Sequence, residues 1–175
     1  IGSRVIKGIA LDDIAEYVNE TALYRNQWQF RPQRVEGGLA DGRPESDDEF
    51  KARIRSTFRE QLAAAKASGV LVPQVVYGYY PANGDGDDLV VWTDETRSAE
   101  AARFHYPRQK AAPFLCIADF FRPVGSGEVD YAAFHIVTMG AAVSEATARR
   151  FADNEYKRYL LLHGLSVEMA EALAE

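Results

Sequence analysis

Gln74-Val-Val-Tyr-Gly-Tyr-Tyr-Pro-Ala-Asn-Gly-Asp-Gly-Asp-Asp-Leu-Val-Val-Trp92 is the stretch whose reading decides the fold. Val75, Val76, Tyr77, Tyr79 and Tyr80 are β-branched or aromatic and suit a pleated, half-buried surface. Pro81 and the run Asn83-Gly84-Asp85-Gly86 supply turn chemistry and positive-φ positions, after which Leu89-Val90-Val91-Trp92 resumes the extended pattern. The stretch reads as strand, tight loop, strand.

The pattern upstream is helical. Asp12 and Asp13 precede Ile14, Ala15, Val18, Ala22 and Leu23, whose spacing of three and four predicts a helix starting near residue 11 and ending by Phe30. Arg31-Pro32 and the Gly/Pro-rich run from Glu36 to Pro44 predict a loop. Ser46-Asp-Asp-Glu49 matches a capping box, followed by Phe50, Ile54, Phe58, Leu62 and Ala65 on one helical face, with Gly69 as the stop.

Downstream of Gly69 the period becomes extended. The expected strands are Val70 to Tyr80, Asp88 to Trp92, one within Ala101 to Tyr106, Pro113 to Phe121, and Asp130 to Gly140. Short connections favour antiparallel pairing. A helix is expected to open at Ser144 as N-cap, to bend at Gly164, and to continue from Val167 to Glu175. Helices segregated from an antiparallel sheet make this an α+β chain.

Its 175 residues, 47% hydrophobic and 26% charged, suffice for one compact domain, read as a single unit over 1–175. A net charge of −6 argues against a nucleic-acid partner. Cys116 is the single cysteine, which excludes an internal disulfide and a cysteine-built metal site and suits a reducing cytosol. No signal-peptide core and no membrane-length apolar run are present, so a soluble cytoplasmic protein is expected. Ile1-Gly2-Ser3 is expected to contribute nothing to the fold.

The acidic run Asn83-Gly-Asp85-Gly-Asp87-Asp88 invites comparison with a calcium loop, but Asp88 stands where the sharp-turn glycine belongs and Asp94 where the bidentate glutamate belongs. A solvated hairpin turn is the better account. His105, His135 and His163 form no short ligand pattern, and strand alternation groups His135 with Tyr131, Ala133 and Val137 as a partly buried residue. Cys116 reads as a small core residue. Asp119, between Ala118 and Phe120, must leave the sheet face or find a donor; a structural hydrogen-bond acceptor is the expectation. Glu168 and Glu171, three apart, read as a solvated stripe.

Several separated segments together resemble one family. Leu11 to Phe30, Val76 to Asp88, Phe104-His-Tyr-Pro-Arg-Gln-Lys110, Leu115-Cys-Ile-Ala-Asp-Phe-Phe121 and Asp130 to Gly140 follow, in order, the pattern of the C-terminal activation domain of cobalamin-dependent methionine synthase. The resemblance implies a C-shaped α+β module that binds S-adenosylmethionine. It also implies a domain of an enzyme, the 5-methyltetrahydrofolate-homocysteine methyltransferase of methionine biosynthesis, whose zinc lies in another domain. Such a module docks over the cobalamin-binding domain of the same polypeptide when the cofactor is oxidised to cob(II)alamin. Methyl transfer from S-adenosylmethionine, coupled to an electron from a flavodoxin-like reductase, then restores methylcobalamin.

Site residues carry over one by one. The family's acidic residue near the end of the first helix, which meets the ligand's amino group, falls on Asn19, a neutral acceptor in place of a charged one. A second family acid falls on Glu171 in Met169-Ala-Glu171-Ala-Leu-Ala-Glu. The family motif Arg-x-x-x-Gly-Tyr lies downstream of that helix and is not in these 175 residues, so the resemblance implies an incomplete domain. No nucleophile is implied, and neither a nucleic acid nor a membrane is expected as partner. Arg103, Arg108 and Lys110 are the basic residues that a reductase-docking patch would use, although a solvated loop is the plainer reading of them. The rival expectation is an interaction or regulatory domain of the same fold that does not bind S-adenosylmethionine.

Overall fold

A computed structural model describes residues 2–35 and 43–175. In chain order it contains β1 (Gly2–Lys7), α1 (Leu11–Ala15), a π-helical segment (Ala22–Gln27), β2 (Arg34–Val35), β3 (Arg43–Pro44), α2 (Asp47–Ser68), β4 (Gln74–Asp85), β5 (Asp88–Trp92) and β6 (Glu100–His105). Two short 3₁₀ turns (Ile117–Phe120 and Val124–Ser126), β7 (Asp130–Thr138), α3 (Ala141–Ala152) and α4 (Tyr156–Ala174) complete it. The α+β class stands. The chain divides into two compact units, one made of the chain through Val5 with Val76–Ile136, the other of Ile6–Val75 with Val137–Glu175.

The first unit holds the sheet, ordered β1-β4-β5-β6 with β7 also paired to β4. β4 and β5 are antiparallel with Asp85 opposite Asp88, so the hairpin turn is only Gly86-Asp87, and Gly86 takes φ +65°. This corrects the expected loop: Pro81 and Asn83 lie inside the strand, not in the turn. Asn83 is fully buried because its amide is satisfied on every side. Its Nδ2 donates to Arg122 O and Glu128 O at 3.0 and 2.9 Å, and its Oδ1 accepts from Trp92 Nε1 at 2.9 Å. Ala82, Leu89, Val91 and Ala132 form the small core beside it. Gly2 and Ser3, expected to be idle, belong to a sheet strand.

The segment from Pro113 to Phe121 is not a strand. Asp119 accepts the Cys116 N–H at 2.9 Å, and the Asp119 N–H donates to Cys116 O at 3.0 Å, which closes the backbone into a 3₁₀ turn. Phe114, Leu115, Ile117 and Phe120 consequently face outward, and only Cys116 and Ala118 are buried. Gly84 permits this turn to lie on β4, since a β-carbon there would stand 2.5 Å from Ala118 O.

The second unit is helical, around Leu23, Tyr24, Phe50, Ile54, Leu165 and Met169. The capping box of α2 forms as read, with Ser46 and Glu49 satisfying each other's backbone donors, and Gly69 ends the helix at φ +62°. The first helix does not run from 11 to 30. It stops at Ala15, and the chain restarts through a turn in which Asn19 Oδ1 accepts the Ala22 N–H at 3.1 Å. The widened π-helical backbone that follows, marked by Trp28 N–H to Leu23 O at 2.8 Å, brings Leu23, Tyr24 and Trp28 all into the core. Part of the Glu36–Pro44 loop reading lies outside the described residues; Arg34–Val35 and Arg43–Pro44 pair as β2 and β3.

Two further expectations change in the C-terminal part. α3 starts at Ala141 rather than at a Ser144 cap; Gly140, at φ +87°, donates its N–H to Thr138 Oγ1 at 3.0 Å. Gly164 does not interrupt α4. It lies mid-helix against Gln27 and Trp28, where a β-carbon would come within 2.8 Å of both side chains. The helix break falls instead at residues 153–155.

Candidate functional site

Both residues expected to meet a ligand lie in the helical unit. Asn19 ends the turn after α1, exposed, with its amide oxygen already engaged as a cap of the π-helical segment. Glu171 lies exposed on the last turns of α4. No hydrogen bond joins the two among the described residues. A shallow depression between α1 and the end of α4, lined by Ile9, Asp13, Ile14, Tyr17, Ala172 and Leu173, lies on the elements that lead into Asn19 and out of Glu171.

Tertiary packing links these elements. Trp28 Nε1 donates to Leu161 O at 2.9 Å, and Gln27 Nε2 donates to Glu168 Oε1 at 3.2 Å. Glu168 is therefore no member of a solvated stripe; it is 6% exposed. Burial raises its carboxyl pKa, the Gln27 hydrogen bond lowers it, and the nearby Glu171 charge adds a smaller upward push. The signal was in the helical phase: Glu168 follows Leu165 by three residues and precedes Ala172 by four, on the apolar face.

A second groove, between the end of β7, α3 and α4, is lined by hydroxyls that serve their own helices. Thr147 Oγ1 donates to Val143 O and Ser166 Oγ to His163 O, at 2.9 and 2.8 Å. His163 stacks on Tyr159 with ring centroids 5.2 Å apart. These are structural uses.

In the sheet unit every carboxylate of the acidic turn meets a cation. Arg103 reaches Asp85 and Asp88 at 2.9 and 3.0 Å and also Glu100 at 2.6 Å; Arg108 reaches Asp87 at 2.8 Å. Arg108 and Asp119 form a two-pronged pair, both contacts at 2.7 Å, which holds the Asp119 pKa down at about 2, helped by the Cys116 N–H. Asp119 is thus the structural acceptor expected, and Cys116 the small core residue. Arg103 and Arg108 are neutralised and make no basic patch. His135, expected to be partly buried, is exposed, because Ala132 and Phe134 take the inward positions of β7.

Residues 10–175 match the family model "Vitamin B12 dependent methionine synthase, activation domain". The chain belongs to this activation-domain family. Methionine synthase of Mycobacterium tuberculosis (strain ATCC 25618 / H37Rv) is 41% identical over 99% of the chain, and that of Mycobacterium leprae (strain TN) 39% identical over 99%. The activation domain described here spans only 15% and 14% of those two proteins. Among solved structures it is similar to "Crystal Structure of the MetH Reactivation Domain bound to AdoHcy", with TM-score 0.78 and 25% identity, covering 99% of this chain and 53% of that one. The activation-domain resemblance read from Leu11–Phe30 and the later segments is thereby shown.

Proposed function

We propose that this activation domain takes part in reductive reactivation within a cobalamin-dependent methionine synthase, binding S-adenosylmethionine as methyl donor. The observation that carries the reading is the family match over nearly the whole chain, supported by likeness to a reactivation domain bound to AdoHcy. The residues present fit the ligand's ammonium: Glu171 offers an exposed carboxylate, and Asn19 retains a second lone pair on the oxygen that caps Ala22. Methyl and electron acceptance are the chemistry that cobalamin supplies; this chain contributes acceptors and a docking surface. The partners are the cobalamin-binding domain of the same polypeptide and a flavodoxin-like reductase. No helix of the described residues is long and apolar enough to cross a membrane, and a cytoplasmic setting suits the single free cysteine.

Calorimetry with S-adenosylmethionine tests this on the full-length polypeptide and its Glu171→Ala variant. Binding that weakens about tenfold or more in the variant supports the reading. Equal affinity of both removes Glu171 from the site, and no binding by the full-length protein leaves the rival reading of a non-binding interaction domain. That rival draws on the engagement of Asn19 as a cap.

A further inference from the structure

The chain from Ile14 to Trp28 runs antiparallel along α4, and successive contacts fix its register. Trp28 Nε1 donates to Leu161 O at 2.9 Å, and Gln27 Nε2 donates to Glu168 Oε1 at 3.2 Å. Ile14 and Tyr17 then line one depression with Ala172 and Leu173. Numbers fall from Trp28 to Ile14 on one side as they rise from Leu161 to Leu173 on the other. Asn19, between Tyr17 and Gln27, and Glu171, between Glu168 and Ala172, therefore fall within the same interval of this ladder.

Leu161, Gly164, Glu168 and Glu171 follow at intervals of three and four and form one stripe of α4. Gln27 and Trp28 lie on this stripe at Gly164, Glu168 is buried, and Glu171, one step further, is exposed. Trp28 grips α4 more than two turns before Glu171, whereas Gln27 grips it at the turn adjoining Glu171. Asn19 is tied to the same segment twice. Its Oδ1 accepts the Ala22 N–H at 3.1 Å, and its backbone O accepts the Leu23 N–H at 2.9 Å, so a shift of Ala22–Gln27 along α4 carries Asn19 with it. Glu20, the neighbouring acid, is taken by Arg55 at 2.7 Å and offers no second clamp.

We infer that Glu168 is a positioning residue for S-adenosylmethionine binding: by accepting the Gln27 amide it sets the register in which Asn19 and Glu171 face the ligand's ammonium together. The inference rests on the function proposed above. Glu168 is buried and acts through its neighbours rather than on the ligand. What it supplies is preorganisation, since two acceptors on separate elements otherwise have to be ordered at the expense of affinity.

The test is calorimetry with S-adenosylmethionine on the full-length polypeptide, with a thermal melt on each sample. Glu168→Ala and Gln27→Leu break the bond from either side, and each should weaken binding by about tenfold. The two combined should lose no more than one alone, because they remove the same bond. Glu168→Gln keeps an oxygen for Gln27 and should hold affinity within about threefold. Val143→Ala, which truncates a core side chain of α3 outside this ladder, should lower the melting temperature and leave affinity as it was. Unchanged affinity in Glu168→Ala and Gln27→Leu, additive losses in the combined variant, or a fall in Glu168→Gln as deep as in Glu168→Ala overturns the assignment. So does an equal loss in Val143→Ala, which makes affinity a readout of stability alone. If Glu171→Ala weakens binding while both bond-breaking variants do not, the failure belongs to Glu168 alone; if the unchanged full-length protein does not bind S-adenosylmethionine, the proposed function fails and takes the positioning role with it.

Discussion

Gln27 Nε2 donates to Glu168 Oε1 at 3.2 Å, and this bond anchors the π-helical segment on α4 through a carboxylate that is 6% exposed. A neutral amide compensates the buried charge only partly, so the acid is held with a raised pKa.

Glu168→Gln should therefore stabilise the protein at neutral pH. The native state binds the Glu168 proton more tightly than the unfolded state, so Glu168 contributes stability below its unfolded pKa and loses it as pH rises through the folded value. Thermal melts should show the variant gaining a few degrees at pH 7 and little near pH 4. Parallel pH profiles for the two proteins would rule out this account.

Gly164→Ala should destabilise despite alanine's better helix propensity. The added methyl group meets Gln27 Cβ and Trp28 Cδ1 at 2.8 Å, and overpacking of this kind costs about 1–3 kcal/mol against a gain of about 1 kcal/mol from the helix. Urea denaturation should move its midpoint downward.

Asp119→Asn should loosen the turn that presents Ile117 and Phe120. The folded carboxyl, at about 2, is depressed by Arg108 first and then by the Cys116 N–H. Its contribution is present above the unfolded pKa and is lost as pH falls through about 2. Hydrogen exchange at the Cys116 amide should accelerate in the variant at neutral pH, while exchange in α2 stays as it was.

Ser46→Ala should remove one half of the α2 capping box at a cost of about 1 kcal/mol, read by chemical denaturation. The Glu49 carboxylate, held at about 2 chiefly by Arg43 and then by the Ser46 N–H, keeps those two partners in that variant.

On the function proposed above, Asn19→Asp should tighten S-adenosylmethionine binding by the full-length protein several-fold, because a carboxylate would meet the ligand's ammonium with a charge-assisted bond where the amide cannot. Aspartate also caps as well as asparagine, so the melting temperature should hold. Calorimetry and a thermal melt on the same sample separate the two effects; unchanged affinity would place Asn19 outside the ligand's reach.

Sequence by itself determined the elements whose signals are local. The Ser46–Glu49 box, the Gly69 stop, the apolar face of α2 and the strand from Asp88 to Trp92 each depend on residues within a few positions of one another, and each appears as read. The family was also legible, because its motifs recur in order along nearly the whole chain. Tertiary structure decided what depends on distant partners. The apolar run from Pro113 to Phe121 has strand composition, yet Asp119, held by Arg108 eleven positions away, takes the Cys116 N–H and keeps the segment in a turn. The Asn83-Gly84 pair has turn composition, yet Trp92, Arg122 and Glu128 satisfy Asn83 inside a strand. Glu168 looked like half of a surface pair until Gln27, 141 positions away, received it in the interior. Burial and hydrogen bonding are set by whatever the fold brings near, and a polar residue's fate follows that neighbourhood rather than its own propensity.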